Sequence, residues 1–279
     1  MRPARLAALL LTLAACGPEP GAPSSAASQA SAVPIPPSPP AGPSFTVAID
    51  SLLRDEPALT YRVAIGYPQI HGLSGEPMAP TLQAVNAAIR DSVAALADDF
   101  RPETPPPGAE PPAYPVEVDG ATPRSWISDD TFSALVEVYA YTGGAHGATY
   151  FLPLTYDLTT GEAVAPADLF AVGTPWADTL AAHVERGVVR QLGGRDAVYA
   201  EGFDSLREGR VDLTLGPDSV TVHVPPYQVS SYAAGSFHVG VPVGALAPFA
   251  RAGGVLARLA GAPRVQGAEP SRDRTLSDD

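Results

Sequence analysis

The chain has 279 residues, 45% of them hydrophobic, with 32 prolines, 26 glycines, one cysteine and a formal net charge of −13. That length suits one large or two small domains, and the acid excess argues against nucleic acid and against electrostatic docking on anionic lipid. Every base is an arginine and the lone cysteine leaves no intramolecular disulfide, so the fold must rest on core burial.

Arg2 and Arg5 precede an apolar run over residues 6–13, which closes on Leu13-Ala14-Ala15-Cys16. A basic start, a short apolar core and small residues before the cut describe a signal peptide over 1–15, since a membrane span needs about 20 apolar residues. Leu-Ala-Ala-Cys is similar to a bacterial lipobox, which implies lipidation of Cys16 and a lipoprotein anchored through acyl chains; the plain alternative is an incidental thiol. Several acyl chains anchor firmly where one is marginal, at about 0.8 kcal/mol per buried methylene. Gly17 in place of aspartate fits sorting to the outer membrane of a diderm cell, facing the periplasm or the surface. Residues 16–44 carry nine prolines among alanine, serine and glycine, a composition that cannot offset its ordering entropy and reads as a disordered linker.

The domain is expected over 45–261, with an N-terminal part at 45–113, a C-terminal part at 114–261 and a disordered tail at 262–279. Residues 61–67 read as a strand whose pairing Pro68 ends. Leu82, Val85, Ile89, Val93, Leu96 and Phe100 recur at helical spacing, giving an amphipathic helix over 81–100. A proline-rich surface loop follows at 101–113. Phe132, Ala134, Val136, Val138 and Ala140 share one face of a strand, and Tyr150, Leu152, Leu154 and Tyr156 one face of the next. Thr174 before Pro175 reads as a capped helix start, with Trp176, Leu180, Val184 and Val188 as its buried stripe and Gly193-Gly194 as its stop. Trp126 and Trp176 read as core aromatics. Residues 211–215 and 220–224 form a hairpin through Gly216-Pro217-Asp218-Ser219, and 236–241 adds a strand. Strands broken by two sizeable helices make the class α+β, a mostly antiparallel sheet with two main helices packed on it.

Between the two central strands lies Tyr141-Thr142-Gly143-Gly144-Ala145-His146-Gly147. Three glycines around one histidine let the backbone turn sharply and approach another segment closely. The stretch is either a hairpin with a structurally placed histidine or a ligand-facing loop. Followed by Asp157-Leu158-Thr159-Thr160-Gly161 and Asp168-Leu169-Phe170, it resembles the signature of the RsiV-like domain family. That family includes the ectodomain of a lysozyme-binding anti-sigma factor, domains preceding peptidoglycan deacetylases, and uncharacterised lipoproteins. Pro226-Tyr227-Gln228-Val229-Ser230-Ser231-Tyr232-Ala233-Ala234-Gly235 is similar to a second family segment, and Val239-Gly240-Val241-Pro242 to the strand after it. Tyr67-Pro68-Gln69-Ile70 with Val85-Asn86-Ala87-Ala88-Ile89 resembles the family's N-terminal part, so the likeness covers roughly 58–250. Gln228 stands where the family usually has an acid, and Ser231 where it usually has proline.

Chemistry is sparse. The five histidines, His71, His146, His183, His223 and His238, make no HExxH and no closely spaced pair, so no metal, cofactor or catalytic site is expected. His183 beside a buried stripe and His223 among valines read as satisfied or solvent-facing residues. His146 reads as a loop-shaping residue or a ligand contact. Tyr139, Tyr141, Tyr150, Tyr227 and Tyr232, beside Gly143, Gly144, Gly147 and Pro226, offer contact area for protein or sugar. The resemblance implies a lipid-anchored envelope protein, non-catalytic, whose partner is a lysozyme-type hydrolase or a peptidoglycan fragment. The anti-sigma activity is not expected to carry over. The alternatives are an envelope enzyme acting on peptidoglycan and a structural lipoprotein with no specific ligand.

Overall fold

Residues 45–72, 78–106, 108 and 114–261 are described in a computed structural model. The signal segment 1–15, Cys16 and the linker 16–44, the tail 262–279, and positions 107 and 109–113 of the proline-rich loop lie outside the described residues.

Leu82, Val85, Ile89 and Val93 form the buried stripe of α1 (Pro80–Asp98). Pro80 opens this helix where a missing N–H leaves no intrahelical bond unmade. The stripe covers a six-stranded sheet in the order β1 (Phe45–Glu56), β2 (Tyr61–Gly72), β3 (Val116–Ile127), β4 (Thr131–Tyr141), β5 (Ala148–Asp157) and β6 (Glu162–Ala163). All neighbours are antiparallel except β2 and β3, which run parallel with α1 as their crossover. Tyr61, Val63 and Ile65 of β2, with Phe132, Ala134 and Val136 of β4, meet the helix in a first core. The Tyr61 hydroxyl donates to the Ala97 carbonyl at the end of α1.

Pro68 does not end the pairing of β2, whose ladder with β1 runs on to Gly72. The ladder with β3 stops at Ile65, so beyond it an N–H on that edge has no strand to meet. Asn86 of α1 takes the vacant place. Its Oδ1 accepts from Ile70 N at 2.8 Å and its Nδ2 donates to Ile70 O at 2.9 Å, the two bonds a neighbouring strand would make.

The second core lies under α2 (Trp176–Leu192). Leu180, Val184 and Val188 are fully buried, and Trp176 stacks on Phe170 at 4.3 Å. Thr174 does not cap this helix: its hydroxyl donates to Ala171 O at 2.7 Å in the preceding turn, and Pro175 occupies the cap. Gly193, at φ 74°, closes the helix in a Schellman turn, with Gly193 N to Arg190 O at 3.3 Å and Gly194 N to Val189 O at 3.1 Å. Three short helices follow, α3 (Asp204–Arg207), α4 (Val243–Leu246) and α5 (Val255–Gly261). Helix α2 packs on an antiparallel sheet of β7 (Asp212–Leu215), β8 (Ser219–Val224) and β9 (Phe237–Pro242).

The architecture is therefore α+β, with its two main helices serving two sheets rather than one. The sheets meet at β4, which is buried on both faces. Ser133 Oγ accepts from Leu215 N at 2.9 Å and lies 2.9 Å from Thr155 Oγ1, so the seam between the layers is hydrogen-bonded where the outer cores are apolar.

Candidate functional site

The glycine–histidine stretch forms the loop between β4 and β5. Gly143 and Gly144 have φ of 97° and 99°, a region costly for other residues, which reverses the chain. Gly147 serves a close approach: a Cβ there would lie 2.5 Å from Ala140 O and 2.6 Å from the Tyr139 ring. Its peptide groups are a hub. Gly147 N donates to Tyr139 Oη at 2.7 Å, and Gly147 O receives His146 Nδ1 at 2.8 Å and Tyr232 Oη at 3.3 Å. A carbonyl only accepts, so His146 carries its proton on Nδ1 and, when neutral, accepts through Nε2 from Tyr227 Oη at 3.3 Å. The His146 and Tyr232 rings stack at 4.1 Å, and Tyr227 lies 5.2 Å from Tyr232 between centroids. Burial raises the Tyr232 phenol above its ordinary value, and Tyr139 and Tyr227 beside it add to the effect.

The second segment reaches this loop because residues 225–232 are tied down from behind. Tyr199 N donates to Val229 O at 2.8 Å and Ser230 Oγ donates to Ala197 O at 2.8 Å. Gln228 Nε2 donates to Gly202 O at 3.0 Å and to Ser205 Oγ at 3.1 Å. A carboxylate cannot donate, so the amide at position 228 fixes the segment in a way an acid there could not. Gln228 N bonds back to Pro225 O at 3.4 Å, closing a turn with Pro226 and Tyr227 at its centre. Tyr227 has φ 70° there, a conformation that favours glycine, yet the residue is 58% exposed.

The structure thus brings together His146, Gly147, Tyr227 and Tyr232 with Tyr139 at one edge. Tyr141 belongs to the same loop, its hydroxyl donating to Gly144 O at 3.0 Å. Tyr150 stands apart. It pairs with the buried Val138, so it faces the first core side, where it packs edge-on against Phe100 at 4.8 Å. Strand alternation assigned its face correctly, but nearness in sequence to His146 does not bring it to the cluster.

One constellation escaped the sequence. In the β8–β9 register His223 lies opposite His238, and their Nδ1 atoms are 2.8 Å apart. Thr214 Oγ1 is 2.9 Å from His223 Nε2, and Glu137 Oε2 is 4.0 Å from His238 Nε2. Phe151 flanks both rings at 5.8 and 5.7 Å. Burial drives His223 down to about 3, with the His238 and Arg124 charges adding to it. Burial also lowers His238 and raises Glu137, the latter opposed by Arg124. Such a pair holds one neutral ring as donor and one as acceptor, and a second proton would break it. The valines around His223 reveal its face, but nothing in sequence names the strand beside it. Among the described residues no group of three or more His, Cys, Asp or Glu is placed to hold a metal ion, and no helix is long and apolar enough to cross a membrane.

No family model matches the chain, and no curated protein matches it. Among solved structures it is similar to a member of the DUF3298 family from Bacteroides fragilis NCTC 9343, with 12% identity and a TM-score of 0.52 over 78% of this chain and 98% of that one. It is also similar to a DUF3298 family protein from Pseudomonas aeruginosa PAO1, with 14% identity and a TM-score of 0.46 over 74% of this chain and 94% of that one. The first of these likenesses shows a shared fold and nothing further.

Proposed function

We propose that the protein is an exported, lipid-anchored component of the cell envelope that binds rather than catalyses. Its tyrosine–histidine edge recognises a lysozyme-type cell-wall hydrolase or a peptidoglycan fragment, the partners that the RsiV-like resemblance implies. The observation that carries this reading is Tyr227: an exposed ring held at a φ that glycine adopts more cheaply. Strain of this kind costs on the order of 1–3 kcal/mol, persists only where the surrounding structure enforces it, and clusters at functional sites. Tyr232 and His146 stiffen it from behind, so the ring is ordered before a partner arrives. The acidic chain, with a pI near 4.7, also suits a basic partner. The anchor rests on the lipobox-like Leu13-Ala14-Ala15-Cys16.

Full-length protein extracted from membranes should retain either lysozyme or muropeptides in a pull-down, and Tyr227→Ala should weaken retention by about tenfold or more. Retention of neither above background would leave a structural lipoprotein. Chelator-sensitive release of acetate from peptidoglycan would instead establish an enzyme. Cys16→Ser should shift the protein from the membrane to the soluble fraction; unchanged membrane association would remove the anchor from the account.

A further inference from the structure

On a face built by other elements, β3 breaks its register with β4 between Ala121 and Arg124. A bulge of this kind re-aims the side chains around it and bends the strand. The displaced stretch and the β7–β8 hairpin enclose a groove of about 510 Å³, floored by Ser133 of β4. Thr214 and Leu215 form the hairpin side of that floor, and Trp126 contributes an indole edge.

Two properties set the groove apart. First, most of its polar side chains are unspent: those of Arg124, Ser125, Trp126, Ser219 and Thr221 line it and make no hydrogen bond or ion pair among the described residues, whereas Thr122 Oγ1 donates to Gly66 O at 3.0 Å. Ser133 and Thr214, deeper in, are already satisfied by Leu215 N and His223. Second, none of the lining residues is acidic, although the chain carries 30 acids. The one charge on the wall is the Arg124 guanidinium, whose field reaches Glu137, His223 and His238 in the seam behind.

We propose that this groove binds a saccharide carrying a carboxylate. Sugar hydroxyls match a rim of serine and threonine hydroxyls that can both donate and accept. The indole offers the apolar edge on which a sugar ring rests, and a guanidinium is the side chain best shaped to take a carboxylate on two parallel bonds. A phosphate or nucleotide would call for more than one cation, and the lining supplies only Arg124. The groove shares no lining residue with the tyrosine edge, so a variant at Arg124 tests it without touching Tyr227, Tyr232 or His146.

The test uses the full-length protein, titrated with glucuronic acid and N-acetylmuramic acid against their neutral counterparts glucose and N-acetylglucosamine. Trp126 fluorescence and calorimetry provide two readouts. At least one acidic sugar should give saturable binding about tenfold or more tighter than its neutral counterpart, the worth of one charge-assisted pair. Arg124→Gln should abolish that preference while leaving the circular dichroism spectrum unchanged, and Trp126→Phe should remove the fluorescence signal but not the heat. Absence of saturation with all four sugars, equal binding of acidic and neutral forms, or an Arg124→Gln variant that keeps the preference would each overturn the proposal.

Discussion

The outer layers and the seam between them are built on opposite principles. Under α1 and under α2 the packing is mainly aliphatic and aromatic, with side chains such as Ile89, Phe132, Leu180 and Val222 entirely buried and Asn86 and Gln69 as hydrogen-bonded exceptions under α1. Where the sheets face each other Ser133, Thr155, Thr214 and His223 are buried beside Leu135, and each of the four polar groups has a named partner. Apolar packing is non-directional and tolerates exchange of one hydrophobe for another. A hydrogen-bonded seam fixes a single geometry and penalises any group left without its partner. The cores therefore supply the bulk of the stability, and the seam sets how the two layers align.

Truncation separates these contributions most strongly in the cores. Ile89→Ala under α1 and Leu180→Ala under α2 should each cost about 2–5 kcal/mol in urea unfolding. If the seam couples the layers, both variants should unfold in one transition monitored by circular dichroism. Two separated transitions would show that the layers fold independently. Ser133→Ala should cost less, about 1–3 kcal/mol, because it removes the acceptor of the Leu215 N–H without opening a large cavity. A loss below about 0.5 kcal/mol would mean that this bond does not align the sheets.

The seam should also make the protein sensitive to mild acid. His223 titrates at about 3 in the folded chain, against about 6.5 for an ordinary histidine. Between those values the unfolded chain binds the extra proton, so this stabilisation is complete above about pH 6.5 and declines as pH falls toward 3. His238 is lowered in the same sense, whereas Glu137 and Asp212, raised by burial, pull the other way. The urea midpoint should fall on acidification from pH 7 to 4, and a flat profile would contradict a neutral buried pair.

How far the sequence disclosed this arrangement follows from the same contrast. Helices α1 and α2 and the strands β4, β7 and β8 were legible because one face of each meets an apolar layer, leaving a period of 3.6 or 2. Strand β1 passed unnoticed because its edge position leaves both faces largely exposed, Ile49 and Leu53 included. Strand β3 is interrupted by its bulge, so its apolar positions lose their alternation. Pro68 misled because its effect depends on which edge of β2 is paired, a tertiary fact. At the candidate site, His146 and the Tyr227 segment drew attention through their residues. Their meeting required knowing that residues 225–232 are pinned by Gly202 and Ser205, whereas the alternation of β5 by itself sets Tyr150 on the other face. The His223–His238 pair was invisible for the same reason, since its two members belong to strands joined by no tight turn.

Tyr227→Gly is the most direct probe of the binding edge, because glycine relieves the φ of 70° while deleting the ring. The variant should be as stable as the parent or more so, by up to about 1 kcal/mol. Measured by surface plasmon resonance in the same samples, its affinity for lysozyme or for muropeptides, whichever the parent binds, should drop about tenfold or more. A variant that is equally stable and binds as well as the parent would contradict the assignment of Tyr227 to the recognition surface.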